Sequence, residues 1–91
     1  MKAQRIFAKK RPYADGVIEM VIWQLPTATA ERSHGLKYRL VYIVSGKRVV
    51  GYDNERGKGD HKHLGATEEN YSFVSVEQLI ADFLADVRRV K

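Results

Sequence analysis

His61 and His63 stand two residues apart in the run GYDNERGKGDHKHLG, Gly51 to Gly65, beside Asp53, Asn54, Asp60 and the cations Arg56, Lys58 and Lys62. Imidazoles two apart on an extended segment point the same way, and they exchange protons near neutral pH. Three chemistries are open to such a set. A metal ion would take oxygen and imidazole ligands from Asp53, Asp60, His61 and His63, but an H-x-H pair alone is a weak signal, and a site also needs geometry and outer partners. A phosphate would be received by backbone amides around Gly57 and Gly59, with Arg56, Lys58 and Lys62 beside them. The run is not a P-loop: the G-x-x-x-x-G-K-[ST] spacing is absent and no helix follows. Metal-free RNA cleavage needs a base for the 2′-OH, an acid for the leaving oxygen and cations for the phosphorane. His61 and His63 supply the first two, Arg39, Arg56 and Lys58 the third, and Asp53 or Asp60 an orienter for an imidazole. Against all three stands a solvated hairpin end at which Asp53-Asn54 turns the chain.

The rest of the chain bounds these choices. Its 91 residues make one domain, 1–91, with room for a single core and no large enclosed pocket. An apolar fraction of 44% is too high for a disordered chain. There is no Cys, which removes disulfides and thiolate metal sites. No apolar run is long enough to be a secretory signal or a membrane span, so the expectation is a soluble, cytoplasmic protein. The net charge of +5 is concentrated in residues 1–14 and 32–62. That asymmetry favours polyanions or an acidic protein partner.

The elements that must position the polar run are hairpins and one helix. Residues 4–10 are a weakly alternating edge strand, and Asp15-Gly16 reads as a two-residue turn into a β-prone run at Val17–Leu25. Leu36–Val44 and Lys47–Asn54 alternate and meet at Ser45-Gly46. With a regular ladder, Leu40 faces Gly51, Arg39 faces Tyr52 and Tyr38 faces Asp53. One face then carries Leu36, Tyr38, Leu40, Tyr42, Val44 and Val49; the other carries Arg39, Val41, Arg48, Val50, Tyr52 and Asn54. Tyr71–Phe73 fits a further short strand. Ser75 with Gln78 reads as a capping box, and Val74 with Leu79 as a hydrophobic staple. Val76, Leu79, Ile80, Phe83, Leu84, Val87 and Val90 then follow helical spacing. The expected class is α+β: an antiparallel sheet of four to five strands with one C-terminal amphipathic helix packed on one face. Leu79, Ile80, Phe83 and Leu84 are expected against Tyr38, Leu40, Tyr42 and Val49.

The pattern Tyr52-Asp53-Asn54 … Gly59-Asp60-His61-Lys62-His63, followed by Phe-Val-Ser-Val-Glu into the amphipathic helix, resembles the TumE-type toxins of bacterial and archaeal toxin–antitoxin modules. The Asp15-Gly16 hairpin and the KYRLVY strand at Lys37–Tyr42 are similar too, so the resemblance covers most of the chain. It implies a growth-inhibiting toxin neutralised by a cognate helix-turn-helix antitoxin, and it puts functional weight on Asp53, Asn54, His61 and His63. RNA as target is an analogy with other small basic toxins. The expectation is therefore a metal-independent ribonuclease or RNA-binding toxin that needs no cofactor. His61, His63, Asp53 and Asn54 form the catalytic set, with Arg39, Tyr52, Arg56, Lys58 and Lys62 on the RNA. The other reading is a non-catalytic module that binds nucleic acid or protein through its basic surface. A homodimer through a sheet edge is compatible with either. No metal site is expected, because no thiolate is present and the glycines at 57 and 59 loosen the loop.

Overall fold

The computed structural model describes residues 3–29, 33–54 and 59–90. Strands β1 (Gln4–Tyr13), β2 (Gly16–Gln24), β3 (Leu36–Val44), β4 (Lys47–Asp53), β5 (His61–Leu64) and β6 (Thr67–Asn70) form one sheet in chain order, and helix α1 (Val76–Arg89) follows. Every neighbouring pair is antiparallel. The sheet has six strands, not four to five. The additional pair is HKHL against TEEN, whose polar side chains lack the apolar alternation that marks a strand in sequence. Tyr71–Phe73, by contrast, is not a strand.

β2 and β3 follow their pattern closely. Ile18, Met20 and Ile22 alternate with Leu36, Tyr38, Leu40 and Tyr42 on one buried face. The first turn lies one residue earlier than expected: Tyr13 pairs with Gly16, and Ala14 takes the positive φ of 50°. Gly16 belongs to the ladder instead, where a Cβ would stand 2.3 Å from the carbonyl oxygen of Ile43. Ser45-Gly46 is the β3–β4 turn, with φ of 52° and 77°, as a two-residue primed turn requires.

The register of β3 and β4 departs from the regular ladder. Val44 faces Lys47 and Ile43 faces Arg48, but Tyr42 faces Val50, so Val49 is left without an opposite number. This one-residue bulge moves every later β4 side chain to the other face. Leu40 meets Tyr52 and Arg39 meets Asp53. Val50 and Tyr52 therefore join the core, at 0% and 1% exposure, and Asp53 goes to the side that carries Arg39.

Helix α1 covers the core side. Ser75 is its N-cap, its Oγ accepting from the amide of Gln78 at 3.1 Å. The Gln78 side chain does not return to the cap; it donates to Asp82 at 2.7 Å. Val74 is 74% exposed, so the expected staple with Leu79 is not made. Leu79, Phe83 and Val87 are buried among Tyr38, Leu40, Tyr42, Val50 and Tyr52, with Ile80 and Leu84 partly buried at the margin. Each fully buried apolar side chain of this kind stabilises the fold by about 1.5–3 kcal/mol relative to exposure. Among the described residues no helix is long and apolar enough to cross a membrane.

Candidate active site on the open sheet face

Side chains directly opposite one another on antiparallel strands share a face, so the register alone assembles the site. One row crosses the sheet as Ala8, Val21, Arg39, Asp53, His61 and Asn70. The next row runs Lys10, Glu19, Val41, Gly51, His63 and Glu68. Both rows lie on the face away from α1. Asp53, His61 and His63 thus sit on paired strands, not on a loose loop.

His61 is held from both ring nitrogens. Its Nδ1 lies 2.9 Å from the carbonyl oxygen of Gly59; a carbonyl only accepts, so Nδ1 carries the proton and donates. Its Nε2 stands 2.6 Å from Asp53 Oδ1 and 3.7 Å from Glu68 Oε2. Asp53 Oδ1 is fully buried, yet it meets no hydrogen-bond alignment with any described residue. The oxygen lies beside the imidazole nitrogen, off the line of an N–H. The His63 ring stands edge-on to His61, centroids 5.0 Å apart at 80°. Ligand atoms of Asp53, His61 and His63 all fall within 4.8 Å of one another.

His63 is the more accessible of the two imidazoles. Partial burial, and then the positive charge of Arg48, push its pKa down from the ordinary histidine value, against an opposite pull from Glu68 and Asp53. Arg48 reaches this position across Gly51. A Cβ at Gly51 would come within 2.7 Å of Arg48 Cδ, so the missing side chain is what lets the arginine lie there. Arg39 leans toward Glu19 at 3.9 Å, and Glu19 also meets Lys10 at 3.6 Å. Beside this row, Ala8, Lys9, Lys10, Glu19 and Val21 line a shallow groove of ≈ 360 Å³.

The other candidate residues are distributed elsewhere. Asn54 is fully buried; its Nδ2 donates to the Leu36 carbonyl at 2.8 Å and its Oδ1 accepts from the Tyr38 amide at 3.0 Å. It clamps the chain leaving β4 onto β3. Tyr52 and Lys62 lie on the helix side, where the Tyr52 hydroxyl donates to Asp86 and Lys62 Nζ approaches the same carboxylate at 3.4 Å. Asp60 also turns away from the open face: it accepts from Tyr38 at 2.7 Å and lies 3.1 Å from His34 Nε2. His34 Nδ1 accepts from the Leu36 amide, which fixes Nε2 as the donor to Asp60. Arg56 and Lys58 lie outside the described residues. Sequence reasoning did not find Glu68, the partner of His63 across the Gly65-Ala66 turn; the available signal is Gly65, with a φ of 62°, opening a two-residue Gly-X hairpin turn.

No curated protein and no solved structure matches the chain. The family model for toxin TumE matches residues 2–91, a span that holds both rows of the open face and the helix behind them. The chain belongs to the TumE toxin family.

Proposed function

We propose that this toxin acts on RNA at the open face of its sheet, and that a cognate antitoxin neutralises it by covering that face. The observation that carries the reading is the convergence of Asp53, His61 and His63 in two adjacent rows with Arg39 and Arg48. His63 is the proton-exchanging group, since its lowered pKa leaves the imidazole a free base at neutral pH. It takes the proton of a 2′-OH as that oxygen attacks the adjacent phosphorus, and returns it to the 5′-oxygen as the P–O5′ bond breaks. Arg39 and Arg48 stabilise the charge on the phosphorus oxygens. Asp53 and His61, each largely buried, position His63 and do not themselves contact the strand. Lys10, exposed along the groove, extends the cationic track toward the sheet margin. The face is also where an acidic antitoxin segment is attracted, by the same unlike charges.

The test separates catalysis from binding alone. His63→Ala is expected to abolish cleavage of a mixed-sequence RNA while retaining binding, and Arg39→Gln to weaken both. Undiminished growth inhibition by the folded His63→Ala variant would leave the non-catalytic module as the correct reading.

A further inference from the structure

Two lone-pair atoms do not rest 2.6 Å apart unless something positive lies between or beside them. His61 Nδ1 is committed to the Gly59 carbonyl, and the Nε2 side of the ring lies beside Asp53 Oδ1. A shared proton would require the oxygen to lie along the N–H, and Oδ1 lies off that line, buried and unmatched. Atoms placed side by side in this way can share a third partner. His63 brings a second imidazole to that place, within the same 4.8 Å set.

We propose that Asp53, His61 and His63 bind one divalent transition-metal ion. Two imidazoles and one carboxylate are the donor set such ions take, whereas magnesium and calcium prefer oxygen alone. The Gly59 carbonyl supplies the outer contact that metal-bound histidines ordinarily make through their second nitrogen. Ligands of a single ion at about 2.0–2.2 Å lie roughly 3–3.4 Å apart, so the Asp53–His61 pair at 2.6 Å must open slightly and the partly exposed His63 ring must rotate toward it. Glu68 Oε2, 3.7 Å from His61 Nε2, adds negative charge beside the ion. Arg39 is drawn off toward Glu19. Strand pairing fixes the backbone positions of all three ligands, Asp53 against His61 and Gly51 against His63, so only side-chain adjustment remains when an ion arrives. The proposal needs nothing from the RNA reading.

The full chain, without an affinity tag and dialysed against chelator, is titrated with Co²⁺ and followed by calorimetry and visible absorption. One Co²⁺ per chain is expected, with d–d bands of mixed nitrogen and oxygen ligation. His63→Ala and Asp53→Asn should each weaken uptake at least about tenfold and alter the bands, with circular dichroism showing the variants folded. His34→Ala removes the one other histidine of the three and should leave uptake and bands unchanged. Absence of stoichiometric uptake, uptake that survives in both ligand variants, or uptake lost with His34 overturns the site.

Discussion

Arg39 and Asp53 face each other across β3 and β4 because Val49, four residues before Asp53, has no partner. Without that bulge Arg39 would face Tyr52, and Asp53 would point into the helix side with Tyr38. Strand alternation separates two sets of polar groups that are interleaved in sequence, and the bulge decides which face each set takes. Asp53, His61 and His63 go to the open face; Tyr52 and Lys62 go to Asp86 on α1.

Gly51 is the second condition for the site, and it yields the first prediction. Its empty side-chain position holds Arg48 beside His63. Gly51→Ala puts a methyl group where Arg48 Cδ lies, and the flexible arginine must swing away. Replacing glycine within a strand also gains about 0.5–1 kcal/mol of backbone entropy, which offsets the strain of that movement. The variant should melt close to the parent yet bind RNA more weakly, with a shallower salt dependence from the lost phosphate contact. Parental RNA affinity and salt slope would show that Arg48 does not act on substrate.

The core predicts stability in a different place. Phe83 is fully buried and its ring meets Tyr52 edge-on at 5.8 Å. Phe83→Ala should cost about 3–5 kcal/mol, a large share of the roughly 5–15 kcal/mol available to a domain. Val74→Ala should change nothing measurable, since Val74 is 74% exposed and staples nothing. Urea midpoints of the two variants decide this; a Val74→Ala loss as large as that of Phe83→Ala would mean that Val74 packs against the core.

The helix and the apolar strands were legible because their signals are local. Ser75 before a 3.6-residue apolar stripe, and Leu36, Tyr38 and Leu40 alternating with Lys37 and Arg39, each report a face from a short window. The β3–β4 register was not legible, because a bulge depends on how two strands fit and leaves no mark in the alternation of either. That His61 and His63 point the same way was readable from their two-residue spacing; their pairing beside Asp53 was not, since β5 carries no apolar alternation. Which face this set takes, and that Tyr52 and Lys62 meet the helix, was not legible either, since it follows from the bulge. Glu68 was missed for a related reason: β6 is acidic throughout its middle and exposed, so periodicity does not reveal it.

Alkaline pH probes the tyrosines that tie the sheet to its surroundings. Tyr38, Tyr52 and Tyr71 donate to Asp60, Asp86 and Asp82. Burial first, and then these carboxylate partners, push all three pKa values far above the ordinary tyrosine value. Their folded values exceed the unfolded value of about 10, so the unfolded chain releases protons sooner. The stability they contribute is fully present below about pH 10 and is lost as pH rises beyond it. Urea midpoints measured upward from pH 8 should fall once the pH passes about 10, and fall less steeply in Tyr71→Phe. Three additional phenolates appearing by absorbance while the circular dichroism stays native would contradict the hydrogen-bond scheme.

The metal site and the proton-exchange role of His63 compete for one lone pair, and this gives the last prediction. A nitrogen that holds an ion cannot take a proton from a 2′-OH. Stoichiometric Co²⁺ or Zn²⁺ should therefore inhibit RNA cleavage by the chelator-treated protein, and added chelator should restore it. The same ions should raise the melting temperature, since a hundredfold excess over the dissociation constant stabilises the folded state by about 2.7 kcal/mol. Mg²⁺ at equal concentration should do neither, because two imidazoles suit it poorly. His34→Ala should respond as the parent does, which removes nonspecific histidine binding as the cause. Activation in place of inhibition would keep the ion at Asp53, His61 and His63 but take the proton-exchange role from His63. Cleavage would then depend on the ion as the Lewis acid at phosphorus.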